Sequence, residues 1–142
     1  MTPGRSVALA IDALRHGWPI RLDGLVTLLP AETGFAPGAS SHTMLISAAR
    51  AATLKLANQR EAAIPEAPVL IRGAEPFDFP LARALADPAL DLRYPLKGPF
   101  VAEPIERPAS AAAAMELARL AGILPAFLVD PEAAGEAQTV CA

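Results

Sequence analysis

An Asp-Gly dipeptide between two apolar runs, near the N-terminal end of the sequence, indicates where the chain reverses direction. Ile20 and Leu22 alternate with Arg21, Asp23-Gly24 follows, and a second apolar run returns over residues 25–29. Asp-Gly suits a type I′ turn, because both central residues of that turn have positive φ. The segment therefore predicts a β-hairpin closed by a two-residue turn.

Helical patterns are spread along the rest of the chain. They predict helices over residues 6–15, 48–57, 79–86 and 109–121. The first carries one apolar stripe at helical spacing: Val7, Ala10, Ile11 and Leu14. Ser47 suits the N-cap of the second helix, on which we expect Arg50 to face outward. Gly122 is a fitting end for the last helix.

Short apolar runs alternate with these helices. They predict strands over residues 42–46, 69–71, 100–102 and 126–129. Interleaved strands and helices favour an α/β (α+β) fold, with helices packed on a mixed sheet. We expect one domain over residues 1–130, and a linker or terminal strand over residues 131–142.

Composition excludes several classes of function. Of the 142 residues, 53% are hydrophobic and 19% charged, and the net charge is −3. A nucleic-acid surface needs a basic patch, so no nucleic-acid partner is expected. No apolar run reaches the roughly 18 residues of a membrane span. The single cysteine, Cys141, fits a reducing compartment, and we expect a cytoplasmic protein.

The residues give weak signals for chemistry. One cysteine and two histidines cannot build a cysteine-rich zinc site. His16 is expected to cap or flank the first helix, whereas a ligand or base role is left open for His42. Ser40-Ser41-His42 lacks the glycine-flanked elbow of a nucleophile, so we expect a structural loop. Six carboxylates are scattered with no pair expected on one face: Glu32, Asp78, Asp91, Glu103, Glu106 and Asp130.

Several segments together suggest a known family. They are residues 13–17, the run Leu28-Leu29-Pro30-Ala31-Glu32-Thr33, Tyr94-Pro95-Leu96-Lys97, and Leu120-Ala121-Gly122 followed by Pro125-Ala126 and an apolar strand. This order resembles 3,4-dihydroxy-2-butanone 4-phosphate synthase, an enzyme of riboflavin biosynthesis. The chain is still more similar to the domain that precedes the catalytic domain in some bacterial GTP cyclohydrolase II proteins. Residues 45–52 and 95–100 are the most characteristic parts of that resemblance.

The chain departs from the synthase pattern where that family has its active site. An acidic, arginine-containing loop that binds magnesium and the sugar phosphate is replaced by Asp23-Gly24. A histidine ligand that opens the last helix is replaced by Ser110-Ala111-Ala112, and a late glutamate falls near Pro131, one place before Glu132. The family's Gly-His pair is matched by Asp91-Leu92. Arg107 alone matches a phosphate-contacting arginine of the family.

The resemblance thus implies a non-catalytic domain of a GTP cyclohydrolase II, with a structural or dimerisation role. Its partners would be the C-terminal cyclohydrolase domain and a second copy, and zinc and magnesium would belong only to a catalytic domain. No catalytic or metal-binding residue is expected in this chain. An alternative is a regulatory module that binds a phosphate or nucleotide through Arg107 with Arg50, Lys97 or Arg60. A third is an enzyme with a rebuilt site around His42 and Glu32.

Overall fold

A seven-stranded sheet organises the chain. The computed structural model describes residues 3–22, 26–34, 39–53, 67–90, 100–131 and 138–140. The strands are β1 (Ile20–Leu22), β2 (Val26–Pro30), β3 (Ser41–Ile46), β4 (Val69–Phe77), β5 (Phe100–Glu103), β6 (Ala126–Val129) and β7 (Gln138–Val140). Their order across the sheet is β5-β4-β3-β6-β2-β1-β7. All neighbours are antiparallel except β1 and β7, so the sheet is mixed as expected.

Helices cover both faces of the sheet and give the predicted α+β fold. They are α1 (Pro3–Arg15), α2 (Ala48–Thr53), α3 (Phe79–Ala86) and α4 (Pro108–Ala121), with a 3₁₀ turn over Pro88–Leu90. Ala10 and Leu14 of α1 are fully buried, in agreement with the predicted stripe. Gly122 follows α4 at φ 75°, the left-handed conformation that favours glycine after a helix.

Alternation along the strands divides the core into two layers, because successive side chains point to opposite faces. Leu29, Met44 and Leu128 pack with α2 and α3 on one face. Their neighbours Leu28, Leu45 and Phe127 pack with α1 and α4 on the other face. The sheet is therefore the central layer of three.

The predicted hairpin forms, but its connection is longer than expected. Leu22 pairs with Val26, and Ile20 pairs with Leu28. Three residues, 23–25, thus separate the last paired positions, whereas a two-residue turn would have paired Leu22 with residue 25. The predicted Asp23-Gly24 turn itself lies outside the described residues.

Strand β4 extends further than the predicted residues 69–71. It continues through Gly73 and Pro76 to Phe77, which pairs with Ser41. The register between β3 and β4 shifts between Ser41 and Thr43, so the extra residues are accommodated in an irregular ladder. Gly73 did not end this strand, because it pairs in regular register with Phe100 of β5, and Pro76 lies in the irregular part of the ladder with β3, where proline is tolerated.

Within the described part of the chain, no helix has the length and apolar character needed to cross a bilayer.

Candidate functional site

An open cleft lies beside the N-terminus of α4, on the face of the sheet that α1 and α4 share. We call it the α4 cleft, and its volume is about 360 Å³. Apolar side chains from several strands and from the approach to α4 line it: Leu22, Val26, Leu28, Leu45, Leu70, Ile105 and Val129. Polar and charged side chains also line it: Glu103, Glu106, Arg107, Ser110 and Asp130. The cleft thus joins apolar surface to a few polar groups, as ligand sites commonly do.

Three separate parts of the chain meet at this cleft. Leu22 and Val26 are the paired residues at the end of the β1–β2 hairpin. Glu103 ends β5, residues 104–107 connect it to α4, and Ser110 lies in the first turn of that helix. Asp130 directly follows β6. The pairing of β6 with β2 and β3, and of β4 with β3 and β5, brings these parts together.

Arg107 occupies the N-cap position of α4. Its side chain makes no capping hydrogen bond and is exposed, and Pro108 begins the helix. Proline suits this first position, because its missing N–H has no partner within a helix anyway. The guanidinium and the helix N-terminus therefore place positive charge at one end of the cleft.

Ser110 and Ala111 form the wall of the cleft in the first turn of α4. Ser110 is only 7% exposed, and Ala111 is also buried. The following residue, Ala112, is exposed. A hydroxyl and two methyl groups offer no imidazole or carboxylate to a divalent cation at this position.

Three carboxylates share the cleft with Arg107. The side chain of Glu103 accepts a hydrogen bond from Nε of Arg72 and is half-buried, whereas Glu106 is exposed. The expectation that no two carboxylates share a face was wrong. Glu103, at the end of β5, and Glu106, in the connector that follows, are only three residues apart, a spacing that indicates proximity, whereas the position of Asp130 depends on strand pairing.

Asp130 closes the end of β6 in an unusual backbone conformation. Its φ is 45°, in the left-handed region that Asp tolerates better than most residues. Its Oδ1 accepts a hydrogen bond from the Thr27 N–H at 2.9 Å, and its own N–H donates to the Thr27 carbonyl at 2.7 Å. Asp130 therefore has a structural role, which ties β6 to the start of β2.

Arg50 does not face outward, and the structure does not bring it to Arg107. It is 6% exposed, and its guanidinium donates to the carbonyl oxygens of Leu85 at 2.5 Å and Ala84 at 3.2 Å. Those carbonyls end α3, on the face of the sheet opposite the α4 cleft. Burial is favourable here because the arginine satisfies carbonyls that have no partner within the helix. Lys97 and Arg60, the other two expected phosphate ligands, lie outside the described residues.

His42 and Glu32, which were considered as the centre of a rebuilt active site, also lie far apart. His42 is exposed on β3, whose Met44 pairs with Leu128, so His42 lies near the end of β6. Glu32 accepts a hydrogen bond from the Leu124 N–H at 3.1 Å, before β6 begins. The expected site around His42 and Glu32 therefore does not form, because the length of β6 separates them.

Ser41 and His16, two further polar residues singled out in the sequence, make contacts that stabilise the fold. Ser41 donates through Oγ to the Val129 carbonyl at 2.5 Å, which joins β3 to β6. Nδ1 of His16 lies 2.7 Å from the Asp12 carbonyl oxygen, and its ring stacks on Trp18 at 4.6 Å. Across the described ranges, no group of three or more His, Cys, Asp or Glu side chains is arranged to hold a metal ion.

The chain was compared with protein-family models and with curated proteins. No protein-family model matches the chain, and no curated protein matches it significantly. Function is therefore inferred from the cleft and from the sequence pattern.

Proposed function

We propose that this chain is a non-catalytic, synthase-like domain of a riboflavin-pathway GTP cyclohydrolase II, with a structural or dimerisation role. The observation that carries the proposal is the composition of the α4 cleft. In the synthase family that the sequence resembles, the active site uses the loop between the first two strands, the start of the last helix, and a residue after the following strand. In this chain Leu22 and Val26 on either side of the first hairpin connection, Ser110 in the first turn of α4 and Asp130 after β6 border one cleft, and this supports the proposal.

The cleft keeps this arrangement but not the expected chemistry. Ser110 and Ala111 stand where the resemblance implies a metal-binding histidine segment. Pro131 stands near the place where it implies a glutamate, one residue before Glu132, and the neighbouring Asp130 is engaged with Thr27. Arg107 remains, but one arginine supplies no general acid or base, because its guanidinium does not lose its proton in proteins. We infer a role in support of a neighbouring cyclohydrolase domain, where zinc and magnesium would be bound.

A manganese titration followed by NMR tests whether the cleft binds a catalytic cation. Mn²⁺ takes the same oxygen ligands as Mg²⁺ and broadens nearby amide signals. We expect the signals of Leu22, Ser110 and Asp130 to broaden no more than those of other exposed carboxylate regions, without saturation. Saturable broadening centred on these three residues would contradict the proposal. Glu75, exposed on β4 and away from the cleft lining, is the reference for weak surface binding.

One observation favours a second candidate, a phosphate-binding regulatory module. Arg107 is exposed at the N-cap of α4, where an anion is stabilised by the helix N-terminus. Glu103, Glu106 and Asp130 oppose anion binding, because they place negative charge in the same cleft. Calorimetry with GTP, flavins and sugar phosphates decides between the two roles. Binding heat that disappears in Arg107→Gln would favour the regulatory module.

A further inference from the structure

Glu106 and Arg107 place opposite charges on neighbouring residues at the edge of the α4 cleft. The backbone bends at Glu106, and both residues are exposed and line the cleft. Within the described ranges, neither side chain makes a hydrogen bond or an ion pair. A carboxylate that accepts hydrogen bonds and a guanidinium that donates them are therefore both available at the same opening.

The other two carboxylates of the cleft are engaged in contacts that hold the fold together. Glu103 accepts a hydrogen bond from Arg72, which pairs its charge across β4 and β5. Asp130 accepts a hydrogen bond from the Thr27 N–H at 2.9 Å. Among the described residues that line the cleft, the charges left without a protein partner are thus one carboxylate and one guanidinium.

The floor of the cleft is apolar. Six side chains from β1, β2, β3, β4 and β6 form it: Leu22, Val26, Leu28, Leu45, Leu70 and Val129. Val26, Leu70 and Val129 are only half-buried, so part of their apolar surface stays open to water. A ligand that covers these side chains would gain from the removal of that surface from water. The volume of about 360 Å³ lies in the range of small-molecule sites.

Charge complementarity distinguishes between the kinds of ligand that could cover this floor. An anion would meet Arg107, but also the negative charge of the three carboxylates in the lining. A simple cation would meet Glu106, but also the guanidinium beside it. A ligand that carries an ammonium and a carboxylate on one carbon can place each group beside its opposite charge. An apolar side chain on the same carbon then matches the floor.

We propose that the α4 cleft binds a free α-amino acid with an apolar side chain. Its ammonium donates to the carboxylate of Glu106, and its carboxylate accepts from the guanidinium of Arg107, a pairing that can form two parallel hydrogen bonds. The apolar side chain covers Val26, Leu70 and Val129. This inference concerns binding alone and requires no catalytic group, so it goes beyond the proposed structural role and does not depend on it.

Blocked analogues of one amino acid test the proposal on the full chain. L-leucine is titrated into the ¹⁵N-labelled protein, and NMR follows the amide signals of Val26, Ser110 and Val129. We expect saturable shifts centred on these residues. N-acetyl-leucine lacks the ammonium, leucinamide lacks the carboxylate, and glycine lacks the apolar side chain. Each should bind at least about tenfold more weakly than leucine, because each loses one of the three contacts.

Two variants assign the charged groups of the ligand to their partners. In Arg107→Gln, the preference for leucine over leucinamide should fall below about threefold, because the ligand carboxylate has lost its partner. In Glu106→Gln, the preference for leucine over N-acetyl-leucine should fall in the same way. Glu75→Gln, at an exposed position on β4 away from the cleft lining, is the control and should leave the affinity for leucine unchanged.

Three results would each overturn the proposal. They are no saturable shift at the cleft amides with millimolar leucine, equal binding of leucine and its blocked analogues, and unchanged preferences in both cleft variants. All of these measurements report binding without magnesium or a sugar phosphate. Failure of amino-acid binding would therefore leave the non-catalytic assignment standing, and catalytic turnover would leave the binding result standing.

Discussion

At the scale of single residues, Arg50 shows how a charged side chain can become part of the core. Its guanidinium donates to the Leu85 and Ala84 carbonyls at the end of α3, 35 and 34 residues away in the sequence. A local pattern cannot reveal such a partner, because the helix position of Arg50 is compatible with either an exposed or a buried side chain. The prediction that Arg50 faces outward was wrong for this reason, because its partners are distant in the sequence.

Replacement of Arg50 by methionine is expected to destabilise the fold. The apolar stem is kept, but two buried carbonyls lose their donors at about 1–3 kcal/mol each, so we expect a loss of about 2–6 kcal/mol in the free energy of unfolding. Urea denaturation measures the change. Arg5→Met, at an exposed position on α1, is the control and should shift stability by less than about 0.5 kcal/mol. Equal effects of the two substitutions would show that the Arg50 contacts are not stabilising.

Glu116 gives a second prediction at this scale. A hydrogen bond from Arg119 lowers the pKa of Glu116 below its usual value, and the guanidinium charge adds to this effect. A carboxylate with a depressed folded-state pKa stabilises the fold above its unfolded pKa, and this contribution is lost as the pH falls through the folded pKa. Arg119→Gln should therefore raise the pKa of Glu116 in an NMR titration. Arg21→Gln is the control, and an unchanged titration in Arg119→Gln would refute the assigned cause.

At the scale of elements, local patterns predicted most helices and strands within a few residues. The stripe on α1, the Pro80-containing α3 and the glycine after α4 each carry a signal that depends only on near neighbours. Continuous apolar runs within β2, β3 and β6 indicate that both faces of the sheet are covered. The order of strands leaves no such local signal. That β6 lies at the centre of the sheet and that β7 joins β1 in parallel follow from packing alone.

The connection between β2 and β3 depends on a glycine without a side chain. A methyl group at Gly34 would overlap the Phe79 ring and the Pro30 carbonyl oxygen. Arg83 fixes the same place, because it donates to the Gly34 carbonyl at 2.9 Å and lies over the Phe79 ring at 5.1 Å. The close approach therefore joins α3 to the end of β2.

Gly34→Ala is expected to destabilise the chain by about 1–3 kcal/mol, because a tightly packed contact has no room for the methyl group. Gly4→Ala is the matched control. A methyl group at Gly4 meets nothing within 4 Å, and alanine is expected to stabilise α1 by up to about 1 kcal/mol. Thermal unfolding of both variants measures the difference. Stability changes of the same sign in the two variants would contradict the account of this connection.

At the scale of the whole molecule, the two faces of the sheet differ in what they offer. The face under α2 and α3 holds a closed apolar core with the Arg50 contacts. The other face, under α1 and α4, carries the α4 cleft beside the helix N-terminus, and α4 also lines a groove opposite Ser47 and Pro68. One helix thus borders both the cleft and the groove. A role in support of a neighbouring domain or a second copy is compatible with this arrangement.

The candidate site was predictable only in part. The sequence singled out Arg107 and Ser110, which lie in one short segment, and both line the cleft. It did not predict that Asp130 would share their cleft, since that depends on β6 pairing with β2. Nor did it separate Arg50 from Arg107, because the two residues occupy opposite faces of a sheet whose strand order is not a local property.

Turnover of ribulose 5-phosphate is the measurement that tests the non-catalytic assignment most directly. The purified chain is incubated with this substrate and magnesium, and phosphorus NMR follows substrate loss beside an authentic dihydroxybutanone-phosphate synthase under the same conditions. We expect the chain to consume substrate no faster than a protein-free sample, with or without a chelator. Magnesium-dependent consumption at a rate typical of enzymes, and abolished by Arg107→Gln, would contradict the account, because the α4 cleft would then be an active site.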